Sequence, residues 1–148
     1  MVEDVDYTAL CTDRVRAREV VAVGIVLVSH SPQLAAGLTL LAGQMAGPDV
    51  HIEPAGGDQD GGLGTSDTLV RAAIARADQG DGVLMLCDLG SAILTVREVL
   101  DGNGNGHVRL VDAPFVEGAV AAAVIASSGA PLDEVARAAE EARDARKL

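Results

Sequence analysis

Aromatic residues are almost absent from this 148-residue chain. It has no tryptophan, one tyrosine (Tyr7) and one phenylalanine (Phe115). Hydrophobic residues nevertheless make up 49% of the chain, which at this length is enough for the core of one domain. The core must therefore consist mainly of Ala, Val, Leu and Ile, and such small side chains predict close packing of helices on a sheet.

Basic residues are also scarce. The chain has 22 acidic and 11 basic residues, a net charge of -11, which argues against binding to nucleic acid or to an anionic membrane surface. The only lysine is Lys147. A phosphate-binding P-loop needs Gly-Lys-Ser/Thr after a strand, so that motif is excluded.

Cysteines and long apolar runs are few. Cys11 and Cys87 make neither a disulfide framework nor a metal-ligand spacing, which is typical of a protein in a reducing compartment. No apolar run approaches the ~20 residues of a membrane span, and the first residues are acidic where a signal peptide is basic. We therefore expect a cytoplasmic protein without a metal or membrane partner.

Residues 1–20 differ from the rest of the chain. They contain five acidic residues and three arginines with weak apolar periodicity. This segment is predicted to be a flexible tail, or upstream sequence included by a misplaced start codon, and a short helix from Asp13 is the alternative. Residues 21–148 are predicted to form the single domain.

One stretch places a histidine at the end of a buried strand. Val21 to Val28 is apolar throughout and rich in β-branched residues, as in a strand covered on both faces. His30 follows between two serines, and Pro32 suits the first position of a helix. Leu34, Leu38 and Leu41 follow at helical spacing.

The position of His30 favours a role in binding or carrying an anion. A histidine at a strand end is more often a hydrogen-bonded loop residue than a catalyst. Here, however, two hydroxyls flank the ring and a helix amino terminus follows it, a combination that suits phosphate. Open α/β sheets place their ligands at the same edge, beyond the carboxyl ends of the strands.

A second unit repeats the arrangement of strand, polar turn and helix. Gly82 to Cys87 is apolar, and Asp88 follows it directly. If the two strands are neighbours, Asp88 would accept a hydrogen bond from the His30 imidazole and select the tautomer whose other nitrogen is the nucleophile. The alternative is that Asp88 only caps the next helix. Gly90 and Ser91 would offer N–H groups to an anion, before a helix over 93–100.

The remaining segments complete an alternating α/β pattern. A short strand over 50–54, containing His51, is expected at a sheet edge, followed by a glycine-rich loop over 55–67 and a helix over 68–79. The glycines do not match a dinucleotide fingerprint. Another strand is predicted over 107–111, with helices from Phe115 to about Ser127 and from Pro131. The pattern predicts a doubly wound, mostly parallel sheet with helices on both faces.

Four motifs carry a resemblance to a known family. VSHS at 28–31, GTSD at 64–67, DLGSA at 88–92 and APFVEGA at 113–119 resemble the phosphotransferase subunit of the dihydroxyacetone kinase that uses phosphoenolpyruvate. More distantly, they are similar to the IIA domains of mannose-type sugar phosphotransferase systems. The similarity spans about residues 21–145.

The resemblance implies a function for the chain. His30 would accept a phosphoryl group from the carrier protein HPr and pass it to ADP held by a separate kinase subunit. The only cofactor state would be a transient phosphohistidine. The chemistry of the residues agrees with this: Asp88 would orient His30, and Thr65, Gly90 and Ser91 would donate hydrogen bonds to phosphate. The family forms homodimers, and a chain ending at Leu148 would be the single-domain form that depends on free HPr.

Two other functions remain open at this point. The chain could be the IIA component of a mannose-family sugar permease, with the same chemistry and another acceptor. It could also be a non-catalytic regulatory module of the same fold.

Overall fold

The computed structural model describes residues 21–148. The strands are β1 (Gly24–Ser29), β2 (Ile52–Gly56), β3 (Val83–Cys87) and β4 (Val108–Leu110). The helices are α1 (Pro32–Ala46), α2 (Asp67–Ala77), α3 (Gly90–Leu100), α4 (Phe115–Ser127) and α5 (Leu132–Glu141), followed by a 3₁₀ turn over Ala142–Asp144. The predicted tail over residues 1–20 lies outside the described residues.

The four strands form one parallel sheet in the order β2-β1-β3-β4. Helices α1, α4 and α5 cover one face, and α2 and α3 cover the other. The predicted doubly wound α/β fold is therefore confirmed. β2 lies at an edge, as its mixed polarity predicted, whereas the wholly apolar strands β1 and β3 occupy the centre.

Alternate residues of the central strands enter two separate cores. Ile25 and Leu27 pack with Leu84 and Leu86 under α1, α4 and α5. The intervening residues of these strands, including Met85, point to the other face of the sheet and pack under α2 and α3. Burying a side chain of this size stabilises the fold by about 1.5–3 kcal/mol, so the two faces together hold β1 and β3 rigidly.

A glycine permits close contact between β1 and α2. A Cβ atom at Gly24 would lie 2.1 Å from the carbonyl oxygen of Ala77, the last residue of α2. The helix therefore packs directly against the strand backbone, the close packing that small side chains predicted.

The buried face of α1 consists mainly of alanine residues. Ala35, Leu38, Ala42 and Ala46 are buried, whereas Leu34 and Leu41 are exposed. Small residues at the interface let α1 approach the sheet and α4 closely, and the leucines at neighbouring positions then point outward. Of the three leucines whose spacing predicted this helix, only Leu38 is buried.

Several boundaries also differ from the prediction. The second strand begins two residues later than expected, so His51 is an exposed residue before β2 rather than part of it. Helix α3 begins at Gly90 rather than at residue 93, because the DLGSA turn is shorter than expected. Within residues 21–148, no helix has the length and apolar character needed to cross a membrane.

Candidate functional site

The candidate site lies at the carboxyl edge of the sheet. β1 and β3 are hydrogen-bonded neighbours with Val28 opposite Cys87, so His30 and Asp88 both lie just beyond the ends of their strands. The backbone N–H of Asp88 donates to the carbonyl of Val28 at 3.1 Å, which ties the two strand ends together. The predicted proximity of the histidine-bearing and aspartate-bearing strands is confirmed.

Asp88 contacts the backbone of His30 rather than its ring. The two carboxylate oxygens lie 3.2 and 3.3 Å from the backbone nitrogen of His30, which donates to them. One oxygen also accepts the hydroxyl proton of Ser29 at 2.7 Å, and the other accepts from the N–H of Leu89 at 2.8 Å. The expected hydrogen bond from the imidazole to Asp88 is absent among these contacts of the described residues.

Ser29 connects Asp88 to the start of α1. Its buried hydroxyl donates to Asp88 and accepts from the N–H of Ser31 at 3.0 Å. The side chain of Ser31 in turn caps α1 by accepting from the N–H of Leu34 at 3.2 Å. This chain of hydrogen bonds fixes the backbone on both sides of His30, so the position of its side chain is set by neighbours rather than by its own contacts.

The glycine-rich loop closes over the same edge. The N–H of Gly57 donates to the carbonyl of Ser29 at 3.0 Å, and the N–H of Gly64 donates to the carbonyl of His30 at 2.9 Å. Within the loop, one carboxylate oxygen of Asp58 accepts from the N–H groups of Asp60 at 2.9 Å and Gly62 at 2.8 Å. The loop is therefore an ordered structure that carries Thr65 to the histidine.

Two buried polar atoms at this edge have no partner within the described residues. They are Nδ1 of His30 and the hydroxyl oxygen of Thr65. Buried polar groups in folded proteins are almost always hydrogen-bonded, so an unsatisfied group calls for an explanation such as a catalytic role. Both exceptions belong to residues that the sequence had assigned to the site.

The amino terminus of α3 faces the site without a side-chain cap. The side chains of Ser31 and Ser66 cap α1 and α2, but Leu89 precedes α3 and provides no such oxygen. Gly90 and Ser91 are the first two residues of α3 and are exposed, as the prediction of phosphate donors requires. Backbone N–H groups at a helix start attract anions.

Other potential nucleophiles are placed unfavourably. His51 and His107 precede β2 and β4, so they lie at the amino edge of the sheet, opposite to His30. Nε2 of His107 lies 2.8 Å from the carboxylate of Asp78.

Burial raises the pKa of the Cys87 thiol to about 12, so this thiol stays protonated at neutral pH. Among residues 21–148, no group of three or more His, Cys, Asp or Glu side chains is arranged to hold a metal ion.

The sequence prediction missed two structural residues of the site. Ser29 was noted only as a flanking hydroxyl, but its buried side chain joins Asp88 to α1. Asp58, which orders the loop, was counted only as part of a glycine-rich segment. The pattern of an aspartate followed within four residues by small or flexible positions is the signal that could have indicated its turn-forming role.

Comparison with known proteins identifies the family. A family model described as the PTS system fructose IIA component, EIIA-man, matches residues 24–136. The chain is 42% identical over 105 residues to a Listeria innocua protein named PEP-dependent dihydroxyacetone kinase 2, phosphoryl donor subunit DhaM, covering 69% of this chain and 84% of that one. This chain therefore belongs to the EIIA-man family and is a DhaM-type relative within it, which confirms the resemblance.

A longer relative with the same name also matches the chain, and two solved structures share its fold. The chain is 39% identical to the phosphoryl donor subunit DhaM of Escherichia coli, over 84% of this chain but only 28% of that protein. A crystal structure of a protein of unknown function is 35% identical, with a TM-score of 0.72 over 81% of this chain and 94% of the other. A sigma-54 interaction domain protein from Enterococcus faecalis shares the fold, with a TM-score of 0.57 at 15% identity.

Proposed function

We propose that this chain is the phosphoryl-relay subunit of a phosphoenolpyruvate-dependent dihydroxyacetone kinase. It accepts a phosphoryl group from phospho-HPr on His30 and passes it to ADP bound on a kinase subunit. The names of its relatives support this reaction, since they are phosphoryl donor subunits of that kinase. The observation that carries the proposal is the unsatisfied, buried Nδ1 of His30 at the carboxyl edge of the sheet.

The burial of Nδ1 favours attack by Nε2. A phosphoryl group arriving from outside reaches the ring nitrogen that is not enclosed by protein. In the neutral tautomer with the proton on Nδ1, Nε2 carries the lone pair that attacks phosphorus. The new P–N bond forms as the P–N bond of the donor phosphohistidine breaks, and that donor nitrogen keeps the bonding electrons.

Asp88 acts in both steps, the phosphorylation of His30 and the transfer of the phosphoryl group to the next acceptor. Its carboxylate is held on the backbone of His30, so it places negative charge near the ring and favours the positive charge that develops during attack. Once the phosphoryl group is bound, the same charge repels it. This repulsion keeps the phosphohistidine reactive towards the next acceptor.

Three donors stabilise the transferred group. They are the hydroxyl of Thr65 and the N–H groups of Gly90 and Ser91, and no lysine or arginine lies in residues 29–34, 57–67 or 88–91. Preorganised N–H and hydroxyl donors stabilise developing charge without a metal ion. In the second step, an oxygen of the terminal phosphate of ADP attacks phosphorus and the P–N bond breaks. The bonding electron pair returns to Nε2, so the imidazole becomes neutral again.

We also propose where the chain acts and with which partners. It acts in the cytoplasm as a homodimer, with HPr and the ADP-bearing subunit as successive partners and phosphohistidine as a transient state. The acidic surface, with a net charge of -11, favours basic docking faces on both partners.

A sugar-permease IIA component is the second candidate, because the matching family model is described by that function. Reconstitution distinguishes the two. Protein labelled from enzyme I, HPr and radioactive phosphoenolpyruvate is mixed either with ADP-loaded kinase subunit and dihydroxyacetone or with a permease IIB component. Loss of label only to the kinase subunit supports the relay, loss only to IIB supports the permease component, and failure of the chain to take label supports the regulatory module.

A further inference from the structure

One side of α1 exposes a stripe of large apolar side chains. Leu34, Leu41 and Met45 recur at helical spacing on this side and are between 41% and 52% exposed. Gly37 lies on the same side and is exposed, and a Cβ atom added there would have nothing within 4 Å. The stripe therefore consists of protruding side chains with a hollow at Gly37.

The neighbouring helix α4 continues this surface. Val116 and Val124 lie two turns apart on α4 and are also exposed. Val116 lines a groove of about 200 Å³ whose other walls belong to α1, including the hollow at Gly37. We call this surface the apolar face, and it consists of Leu34, Gly37, Leu41, Met45, Val116 and Val124.

The apolar face is larger than a chance exposure of single residues. Helix α1 is about 22 Å long at 1.5 Å per residue, and packed helices lie about 8–10 Å apart, so the face covers on the order of a few hundred Å². Single exposed leucines are ordinary on protein surfaces, whereas a contiguous patch of this size marks an interaction site.

The two helices of this face carry almost no charge. Helix α1 has no charged residue, and α4 has only Glu117, whose carboxylate lies 3.5 Å from Nζ of Lys147. Each of the other three α-helices of residues 21–148 has at least two charged residues. In a chain with a net charge of -11, the apolar face is therefore an uncharged surface.

The lack of charge favours a second copy of this chain as the partner. Two chains with a net charge of -11 repel each other, so they associate through surfaces that keep their carboxylates apart. Charged residues are depleted from the centres of protein interfaces, and homodimer interfaces are the more apolar ones. A basic partner would find no carboxylate on the apolar face. Residues 1–20, with eight charged residues, do not match it either.

The shape of the face suits a two-fold symmetric contact. In such a contact, both copies use the same surface, so a protruding side chain of one copy meets the hollow of the other. Helices pack when the side chains of one enter the grooves of the next. The groove at Gly37, beside Leu34 and Leu41, provides both parts of this contact on one surface.

From these observations we infer that the apolar face of α1 and α4 is the interface between two copies of this chain. The inference rests on the proposed function in one respect, the homodimer, whose contact surface it names. The apolar face lies on the helices that cover one side of the sheet, whereas His30 lies beyond the ends of the strands. Association through this face therefore leaves His30 open to other proteins.

Placing charge on the apolar face tests the inference. Sedimentation equilibrium measures the molar mass of the parent, of Leu41→Glu and of Leu41→Glu/Met45→Glu over a range of concentrations. The parent should have twice the 15.0 kDa mass of one chain. Because each substitution occurs in both copies of a symmetric contact, we expect the dissociation constant of the double variant to rise by at least about 10²-fold.

Leu94→Glu is the matched control. Leu94 is 64% exposed on α3, which covers the opposite face of the sheet, so this variant should remain a dimer like the parent. Circular dichroism and urea unfolding show whether each variant is folded.

Gly37→Leu gives a second test that adds no charge. Leucine favours a helix more than glycine does, and the added Cβ atom meets nothing in its own chain, so the variant should fold. Its side chain fills the hollow that the other copy needs, and the dissociation constant should rise by about tenfold or more. If a glutamate variant does not fold, this variant decides.

Three results would contradict the inference. They are a parent with the mass of one chain at every concentration, folded variants that dimerise as the parent does, and dissociation of Leu94→Glu to the same extent. A monomeric parent whose double variant loses labelling by phospho-HPr, but not by the small donor phosphoramidate, would assign the face to a partner protein instead.

Labelling of His30 tests the proposed function separately. If the parent is a dimer, the Leu41 and Gly37 variants dissociate and the parent takes no label from phospho-HPr, the interface is confirmed and the relay is refuted. If the parent takes label but is a monomer, the relay stands and the interface is refuted.

Discussion

The carboxylate of Asp88 accepts the backbone N–H of His30, at 3.2 Å from the nearer oxygen, while Nδ1 of the same histidine has no partner within the described residues. Asp88 therefore sets the position of His30 through the main chain. Among the contacts of residues 21–148, no hydrogen bond joins this carboxylate to the imidazole ring.

Replacing Asp88 by Ala should slow transfer strongly. The variant loses the negative charge beside His30 and leaves the buried hydroxyl of Ser29 without its acceptor. We expect a ~10²-fold lower rate of phosphorylation by phospho-HPr, with the label still on His30, and a loss of about 1–3 kcal/mol in the free energy of unfolding. Asp88→Asn, which keeps the shape and an acceptor oxygen but not the charge, separates the two effects. A parent-like rate in both variants would refute the role of Asp88.

The amino terminus of α3 offers a test that removes a single donor. Proline is compatible with Gly90, since this is the first helical residue, nothing lies within 4 Å of an added Cβ, and Leu89 before it is extended at φ -127° and ψ 163°. Gly90→Pro deletes one N–H and should lower the transfer rate by ~10²-fold without unfolding the protein. Gly90→Ala, which keeps the N–H, should transfer normally. Equal rates in the two variants would show that this N–H does not contact phosphate.

Much of the site was predictable because strand ends meet at one edge of a parallel sheet. The apolar runs ending at Val28 and Cys87 were enough to bring His30 and Asp88 together. The partner of Asp88 was not predictable, because the ring and backbone nitrogens of His30 lie within a few ångströms of each other. Only the side-chain conformations distinguish them.

The buried face of α1 could not be predicted from residue spacing. Ala35 and Ala42 recur at the same helical spacing as Leu34 and Leu41, so periodicity alone favoured both faces. Because α1 packs closely against α4 and the sheet, the face with the small alanine side chains is the one that is buried. Leu34 and Leu41 are left exposed as a result.

Two glycines should respond to alanine in opposite directions. At Gly24 the new Cβ would lie 2.1 Å from the backbone oxygen of Ala77. Gly24→Ala should therefore lower the free energy of unfolding by about 1–3 kcal/mol. At Gly43, inside α1, nothing lies within 4 Å, so Gly43→Ala should stabilise it by about 0.5–1 kcal/mol. Urea unfolding of both variants checks the pair, and a stable Gly24→Ala would contradict the close contact of β1 and α2.

The Asp78–His107 pair predicts a pH dependence of stability. The N–H of Gly80 and the ring of His107 hydrogen-bond to Asp78 and lower the pKa of its carboxyl group below 3.8. A lowered folded-state pKa stabilises the protein above the unfolded-state pKa, and this contribution is lost as the pH falls through the folded-state value.

Asp78→Ala should therefore be less stable than the parent at pH 7, by under about 1 kcal/mol for so exposed a pair. The difference should shrink below about pH 4, where the unfolded carboxyl group is protonated. Unfolding in urea from pH 3 to 7 measures it. A difference that is constant across this range would show that the charge of Asp78 contributes nothing.

The phosphorylation of His30 is the central claim, and labelling tests it most directly. The parent, His30→Ala, His51→Ala and His107→Ala are incubated with enzyme I, HPr and radioactive phosphoenolpyruvate, and acid-labile label on each is counted. The account predicts full labelling of the parent and of the His51 and His107 variants, and none of His30→Ala. Full labelling of His30→Ala would contradict it.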